Sequence, residues 1–219
     1  MPDIAWNKAV WGRDYAWPKD GDEWSQFAEF CGVDYGKWKE SLARTFLIPY
    51  VKENSVVVEI GPGHGRWTEY THSRVSSSGQ IHLVDLSQNC IEFCRERFGS
   101  GPVFFHTNDG RTLPPVIAPG SVDLIWSFDT FVHIEESEVR SYAREFFRAL
   151  KTHGTGVIHH AGAPTPEQRA GGARSLVSSR LFWQILTDAG FFVIRQASEW
   201  GDGCNLKLTG DTISVFTKP

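Results

Sequence analysis

The run Ser55-Val56-Val57-Val58-Glu59-Ile60 passes without interruption into Gly61-Pro62-Gly63-His64-Gly65. A short β-branched run bounded by turn residues reads as a buried strand. Three glycines in five positions let the chain behind it turn sharply and approach a ligand without Cβ clashes. The same grammar repeats downstream. A helix over 64–75 leads to a second strand over 80–85, Ser87 caps a helix over 88–98 that Gly99 ends, and 103–106 is a short third strand. Residues 122–126 form the fourth strand, a long helix over 135–150 carries Val139, Tyr142, Ala143, Phe146, Phe147 and Leu150 at helical spacing, and 156–160 is the fifth. A Gly/Ala/Pro-rich surface loop over 161–172 precedes a helix over 181–189 closed by Gly190, and strands over 191–194 and 212–216 end the chain. Alternating strands and helices build an α/β sandwich on a mostly parallel sheet. A chain of 219 residues supports one such domain.

Ahead of this pattern lies a different segment. Trp6, Trp11, Trp17, Trp24 and Trp38 crowd the first fifty residues. Trp24, Phe27 and Phe30, and again Trp38, Leu42 and Phe46, have helical spacing, so the division is a helical extension or lid over 1–50 and the α/β domain over 51–219. Trp11, Tyr15 and Trp17, in the least regular part, are candidates for a lid or substrate wall.

Charge narrows the partners. Twenty-two Lys and Arg against 26 Asp and Glu give a net charge of −4, a field that repels polyanions, and no basic cluster with interleaved aromatics is present. Nucleic acid is therefore not the expected substrate. No apolar run approaches the roughly 18 residues of a membrane span, and cysteines at 31, 90, 94 and 204 form no CxxC pair, so a cytoplasmic, reduced protein is expected. Cys90 and Cys94 share a helix face and read as packing residues.

The glycine loop alone fits two ligand classes. Dinucleotide enzymes use GxGxxG to seat a pyrophosphate at a helix N-terminus. Here the spacing is GxGxG and Glu59 stands two residues ahead, an acid that repels a pyrophosphate but suits a ligand bearing an ammonium and a sulfonium. Asp85 ends the second strand twenty residues after Gly65, where a carboxylate can accept both hydroxyls of a ribose. Asn108-Asp109-Gly110 follows the third strand; Asp109 alone reads as a turn residue, yet with Glu59 and Asp85 it falls at the carboxyl edge where open α/β sheets bind ligands.

The run from Val56 to Gly65, the acid in Val84-Asp85-Leu86-Ser87, the Asn108-Asp109-Gly110 turn and Asp123-Leu124-Ile125-Trp126-Ser127-Phe128-Asp129 together resemble the class I S-adenosylmethionine (SAM)-dependent methyltransferases, over roughly residues 50–219. The resemblance implies a Rossmann-like seven-stranded sheet with an antiparallel last strand. It implies SAM as methyl donor and S-adenosylhomocysteine as product, with Gly61, Gly63 and Gly65 cradling the donor, Asp85 and Leu86 at its ribose, Asn108 and Asp109 at its adenine, Glu59 near its amino-acid end and Ser127 beside its methionine moiety. A looser similarity to small bacterial glycan and secondary-metabolite methyltransferases rests on Gly65-Arg66-Trp67-Thr68, Phe128-Asp129-Thr130-Phe131-Val132-His133 and Ile158-His159-His160.

The acceptor side is less constrained. Methylating a hydroxyl requires alignment of the nucleophile and removal of its proton, and Asp129, His133, His159 and His160 are the candidate groups. His159 and His160 alternate across a strand, so only one faces a given side, and of these two His160, nearer the carboxyl end, is the better candidate; His133 either acts as a base or caps and packs at the start of the helix that follows. The segment after the fourth strand lacks the Asn/Asp-Pro-Pro-aromatic loop that amino- and nucleobase-methylating members resemble. The expected reaction is O-methylation of a small polar metabolite or glycan, in a protein that admits a homodimer. N-methylation of a small amine is the alternative. From other classes come a NAD-dependent reductase or epimerase and a silent SAM-binding protein. No metal site is expected; a divalent cation on Asp129 with these histidines is the minor variant.

Overall fold

The computed structural model describes residues 2–163, 172–201 and 206–219. Most of the 161–172 loop, and Cys204, lie outside them. Seven strands form the central sheet: β1 (Val56–Ile60), β2 (Gln80–Asp85), β3 (Val103–Thr107), β4 (Val122–Phe131), β5 (Leu150–Ala161), β6 (Phe192–Ala197) and β7 (Asp211–Thr217). Their spatial order is β3-β2-β1-β4-β5-β7-β6. The first five are mutually parallel, and β7 runs antiparallel to both β5 and β6. The expected mostly parallel sheet with an antiparallel last strand is present.

Covered sheet faces explain the unbroken apolar runs, because a central parallel strand is buried on both sides. Alternation sends Val57, Ile81, Leu83 and Trp126 into one core and Val58, Val84 and Ile125 into the other. The first core is closed by helix α2 (Tyr35–Leu42), the turn behind it through Leu47, and α4 (Gln88–Phe98). The second is closed by α5 (Glu136–Ala149) and α6 (Ser179–Asp188). Two short helices complete the set, α1 (Ile4–Ala9) and α3 (Thr68–His72). Ser87 caps α4 as expected, its hydroxyl accepting from the Cys90 amide at 3.3 Å.

The tryptophan-rich segment divides in two. Trp38, Leu42 and Phe46 are fully buried on α2 and its extension, one face of the domain core. Trp24, Phe27 and Phe30 do not share a helix: the chain turns at 23–26 and Phe30 lies in a two-residue ribbon with Val33. Cys31 and Gly32, both at positive φ, make that ribbon's tight turn, so Phe27 is left exposed while Trp24 stacks on Phe30. No helix among the described residues is long and apolar enough to cross a membrane.

Strand order reverses beside β1, since β2 and β3 lie to one side of it and β4 to the other. Such a switch point leaves a crevice beyond the strand ends, and the loops following β1 and β4 both open into it.

Candidate active site

The glycine loop follows β1 at this crevice. Gly61, Gly63 and Gly65 all have positive φ, and a Cβ on each would run into Thr130, the Trp17 ring and the Phe98 ring respectively. The loop thus needs glycine twice over, for conformation and for space. It is tied to β2 through the Gly61 amide, which donates to the Val84 carbonyl at 2.8 Å. Asp85 accepts from the amides of Gly63 (3.3 Å) and Ser87 (2.8 Å), and burial pushes its carboxyl up to about 6. Leu86, Asn108, Gly110 and Tyr142 also line the cleft. The Asn108 amide donates to the Tyr142 hydroxyl (2.8 Å) and the Thr112 carbonyl (2.9 Å), which fixes its orientation.

Four sequence expectations need correction. Glu59 does not line the cleft. It lies under the loop, 2% exposed, accepting from the Thr68 hydroxyl at 2.8 Å, and burial pushes its carboxyl up to about 8. Ser127 is inside β4 rather than beyond it, because β4 continues to Phe131, and its hydroxyl donates to the Ile60 carbonyl at 2.7 Å. Phe128, Asp129 and Thr130 reach the cleft instead. Asp109 is exposed, one oxygen receiving the Arg111 amide (2.9 Å) and the Thr112 amide (2.8 Å), so it builds the turn while Asn108 and Gly110 face the cleft. His160 points into the second core. It stacks on Phe182 at 3.8 Å, its ring nitrogens meet the Ala161 carbonyl and the Ser214 hydroxyl, and burial pushes it down to about 3. Strand parity decides this, since proximity to the strand end does not set which face a side chain takes.

His133 lies in the cleft wall. Its Nδ1 is 2.6 Å from the Ala173 carbonyl, and a carbonyl can only accept, so Nδ1 carries the proton and Nε2 the lone pair. Burial lowers its pKa, which favours the neutral ring. Asn7 reaches the His133 carbonyl at 2.9 Å, and Trp11 packs at 4.9 Å between ring centroids. Asp129 sits at φ 64 within an irregular part of β4, held by its amide donating to His159 Nδ1 at 3.0 Å. A bulge of this kind re-aims a side chain. The Asp129 carboxylate faces Arg66 at 3.3 Å; burial works to raise its pKa, but the Arg66 charge outweighs that and holds it below the usual carboxylate range. A carboxylate so stabilised is a poor base. His159 lies outside the cleft lining, its Nε2 3.5 Å from Asp211.

Several cleft residues were not assigned from the sequence. Trp11, Tyr15 and Trp17 line it as the wall option required, and they bring Glu23, Trp24 and Arg66 with them. Trp17 stacks on His64 at 4.4 Å, and Asn89 ties Gly12 to α4 at 2.7 Å. An arginine directly after the third loop glycine was the available signal for Arg66. Among the described residues, no group of three or more His, Cys, Asp or Glu side chains could hold a metal ion.

A parallel sheet reversing at β1, a glycine loop at the reversal and an acid ending β2 are the arrangement that the resemblance to class I SAM-dependent methyltransferases implied. Residues 57–154, from β1 into β5, match the model of a methyltransferase domain family. No curated protein matches the chain. Solved structures share the fold. A SAM-dependent methyltransferase from Aquifex aeolicus is 20% identical, with 84% of this chain and 98% of that one covered at a TM-score of 0.59. One from Mesorhizobium loti is 15% identical, with 83% and 98% covered at 0.65. A TehB-like SAM-dependent methyltransferase from Corynebacterium glutamicum is 18% identical, with 84% and 96% covered at 0.60. SAM is the methyl donor that the matching methyltransferase family implies, and the cleft fits it: Gly61 and Gly63 line it at positive φ, with no side chain of their own between the loop backbone and a ligand.

Proposed function

We propose that this protein transfers the methyl group of SAM to a hydroxyl of a small polar metabolite or sugar, with His133 as the general base. When bound, SAM would supply an electrophilic methyl group on a sulfonium, with neutral S-adenosylhomocysteine as the leaving group. In this reading Gly61 and Gly63 provide the close backbone approach, Asp85 accepts the ribose hydroxyls, and Leu86, Asn108, Gly110 and Tyr142 surround the adenine. Asp109 contributes by shaping the turn that presents its neighbours.

The observation that carries the hydroxyl reading is the Nδ1 contact of His133 with the Ala173 carbonyl. It leaves Nε2 as an acceptor in a buried wall, the state that takes a proton from a hydroxyl at neutral pH. Trp11, whose indole Nε1 is buried without a hydrogen-bond partner, stands beside it. That donor and the surrounding rings suit an acceptor presenting a ring face and a second oxygen.

The test incubates the protein with SAM and a panel of methyl glycosides, catechols and small amines, with S-adenosylhomocysteine release measured by mass spectrometry. Turnover of hydroxyl acceptors, depressed in His133→Gln, supports the reading. Turnover confined to amines and indifferent to His133→Gln would replace it with N-methylation, where a neutral amine needs no base.

A further inference from the structure

His133 owes its tautomer to the Ala173 carbonyl, and that carbonyl belongs to neither a helix nor a strand. Residues 173–175 run alongside 132–134. The Ser175 amide donates to the Val132 carbonyl at 2.8 Å, its hydroxyl donates to the Ile134 carbonyl at 2.7 Å, and His133 Nδ1 meets Ala173 at 2.6 Å. Ser175, fully buried, ties down one end of this stretch. Between it and Ala173 stands Arg174, whose Nη2 lies 3.0 Å from Asp211 Oδ2.

Asp211 opens β7 opposite Ala161, the last residue of β5, and is 6% exposed. A carboxylate so buried is costly without a partner, so the pair holds Arg174 in place as well as Asp211. The same Asp211 oxygen faces His159 Nε2 at 3.5 Å, and His159 Nδ1 accepts from the Asp129 amide at 3.0 Å. One carboxylate on β7 thus stands behind both acceptor-side groups, His133 through Arg174 and Asp129 through His159. Neither Arg174 nor Asp211 lines the cleft. Their influence on it passes through these neighbours. A neutral imidazole carries its hydrogen on whichever nitrogen has the acceptor, and an oxygen that drifts beyond about 3.5 Å no longer serves as one.

Resting on the base reading above, we propose that Arg174 and Asp211 are positioning residues for His133: their ion pair anchors the Ala173 carbonyl against Nδ1 and so keeps the lone pair on Nε2.

Nitrogen NMR of protein labelled at histidine, recorded at pH 8, above the ordinary histidine range, reads the tautomer directly, because ring nitrogens with and without hydrogen resonate far apart. The spectrum of His133→Gln assigns the His133 signals. The wild type should carry the His133 hydrogen on Nδ1. Arg174→Met should lower the ratio of Nδ1–H to Nε2–H at His133 roughly 2- to 10-fold, the worth of one net hydrogen bond, and Arg174→Lys, which keeps a cation opposite Asp211, should recover most of it. His160 is the internal control, since its Nδ1 meets a carbonyl of its own strand, Ala161, at 2.6 Å and its signals should not move. An unchanged His133 ratio in Arg174→Met, or a shift shared with His160, overturns the proposal. Should Arg174→Met unfold with Asp211 left unpaired, the double variant Arg174→Met/Asp211→Leu removes both buried charges together and the same two outcomes decide. No acceptor enters the measurement. Turnover confined to amines would remove the base reading and leave the tautomer result standing, whereas a wild-type His133 with its hydrogen on Nε2 removes both.

Discussion

Gly65→Ala should cost far more stability than Gly120→Ala, although both glycines have positive φ (87° and 62°). Forcing an L-residue into that region costs about 1–2 kcal/mol. At Gly120 a Cβ meets nothing within 4 Å, so this strain is the whole cost. At Gly65 the Cβ enters the Phe98 ring, which is 5% exposed at the end of α4 and packed in the first core. Overpacking of a core adds roughly 1–3 kcal/mol, for a total of about 2–5 kcal/mol. A domain of this size loses about 2–4 °C of melting temperature per kcal/mol, so Gly65→Ala should melt roughly 4–20 °C lower and Gly120→Ala about 2–8 °C lower. Differential scanning calorimetry of the two variants beside the wild type gives the comparison. Equal melting temperatures would refute the claim that the third glycine is required for space as well as conformation.

Other outcomes follow from individual side chains. With a hydroxyl acceptor in hand, His133→Gln should lower kcat by roughly 10²- to 10⁴-fold while S-adenosylhomocysteine binds as before; because burial lowers the His133 pKa, wild-type kcat should hold at pH 7 and fall only as the pH drops below the ordinary histidine range. Asp85, pushed up to about 6 by burial, loses its charge below that pH, so S-adenosylhomocysteine affinity measured by titration should fall through pH 6 in the wild type and stay flat in Asp85→Asn. Glu59 has a folded pKa of about 8 against an ordinary 4.5, so the native state holds a proton that the unfolded chain releases between those values and the wild type loses stability as pH rises through them. Glu59→Gln lacks that slope, and its urea midpoint relative to wild type should climb from pH 5 to pH 8; parallel midpoints would show the carboxyl to be ionised in the fold.

Much of the frame was legible because it depends on local signals. β-branched runs, the Ser87 cap and the glycines mark strands, helix starts and turns where they occur, and the order of βα units follows. The misplacements share one cause, that facing is settled between elements. His159 and His160 are equivalent until pairing of β5 with β7 sets Thr212 opposite His160 and turns that ring toward Phe182. Ser127 was assigned past a strand that continues four residues further, through an irregular stretch that contains the left-handed Asp129. The pairing of Arg66 with Glu23 spans more than forty positions and two parts of the fold, and no periodicity reports it.

Pro2, Ile4 and Asn7 stand at the cleft alongside residues of the glycine loop. A purification tag or fluorescent fusion joined directly to Pro2 would begin beside that cleft. Label placement is therefore a variable in every assay above. A handle joined after β7, whose last residue pairs with Thr155 at the far end of β5 from Ala161, keeps clear of it.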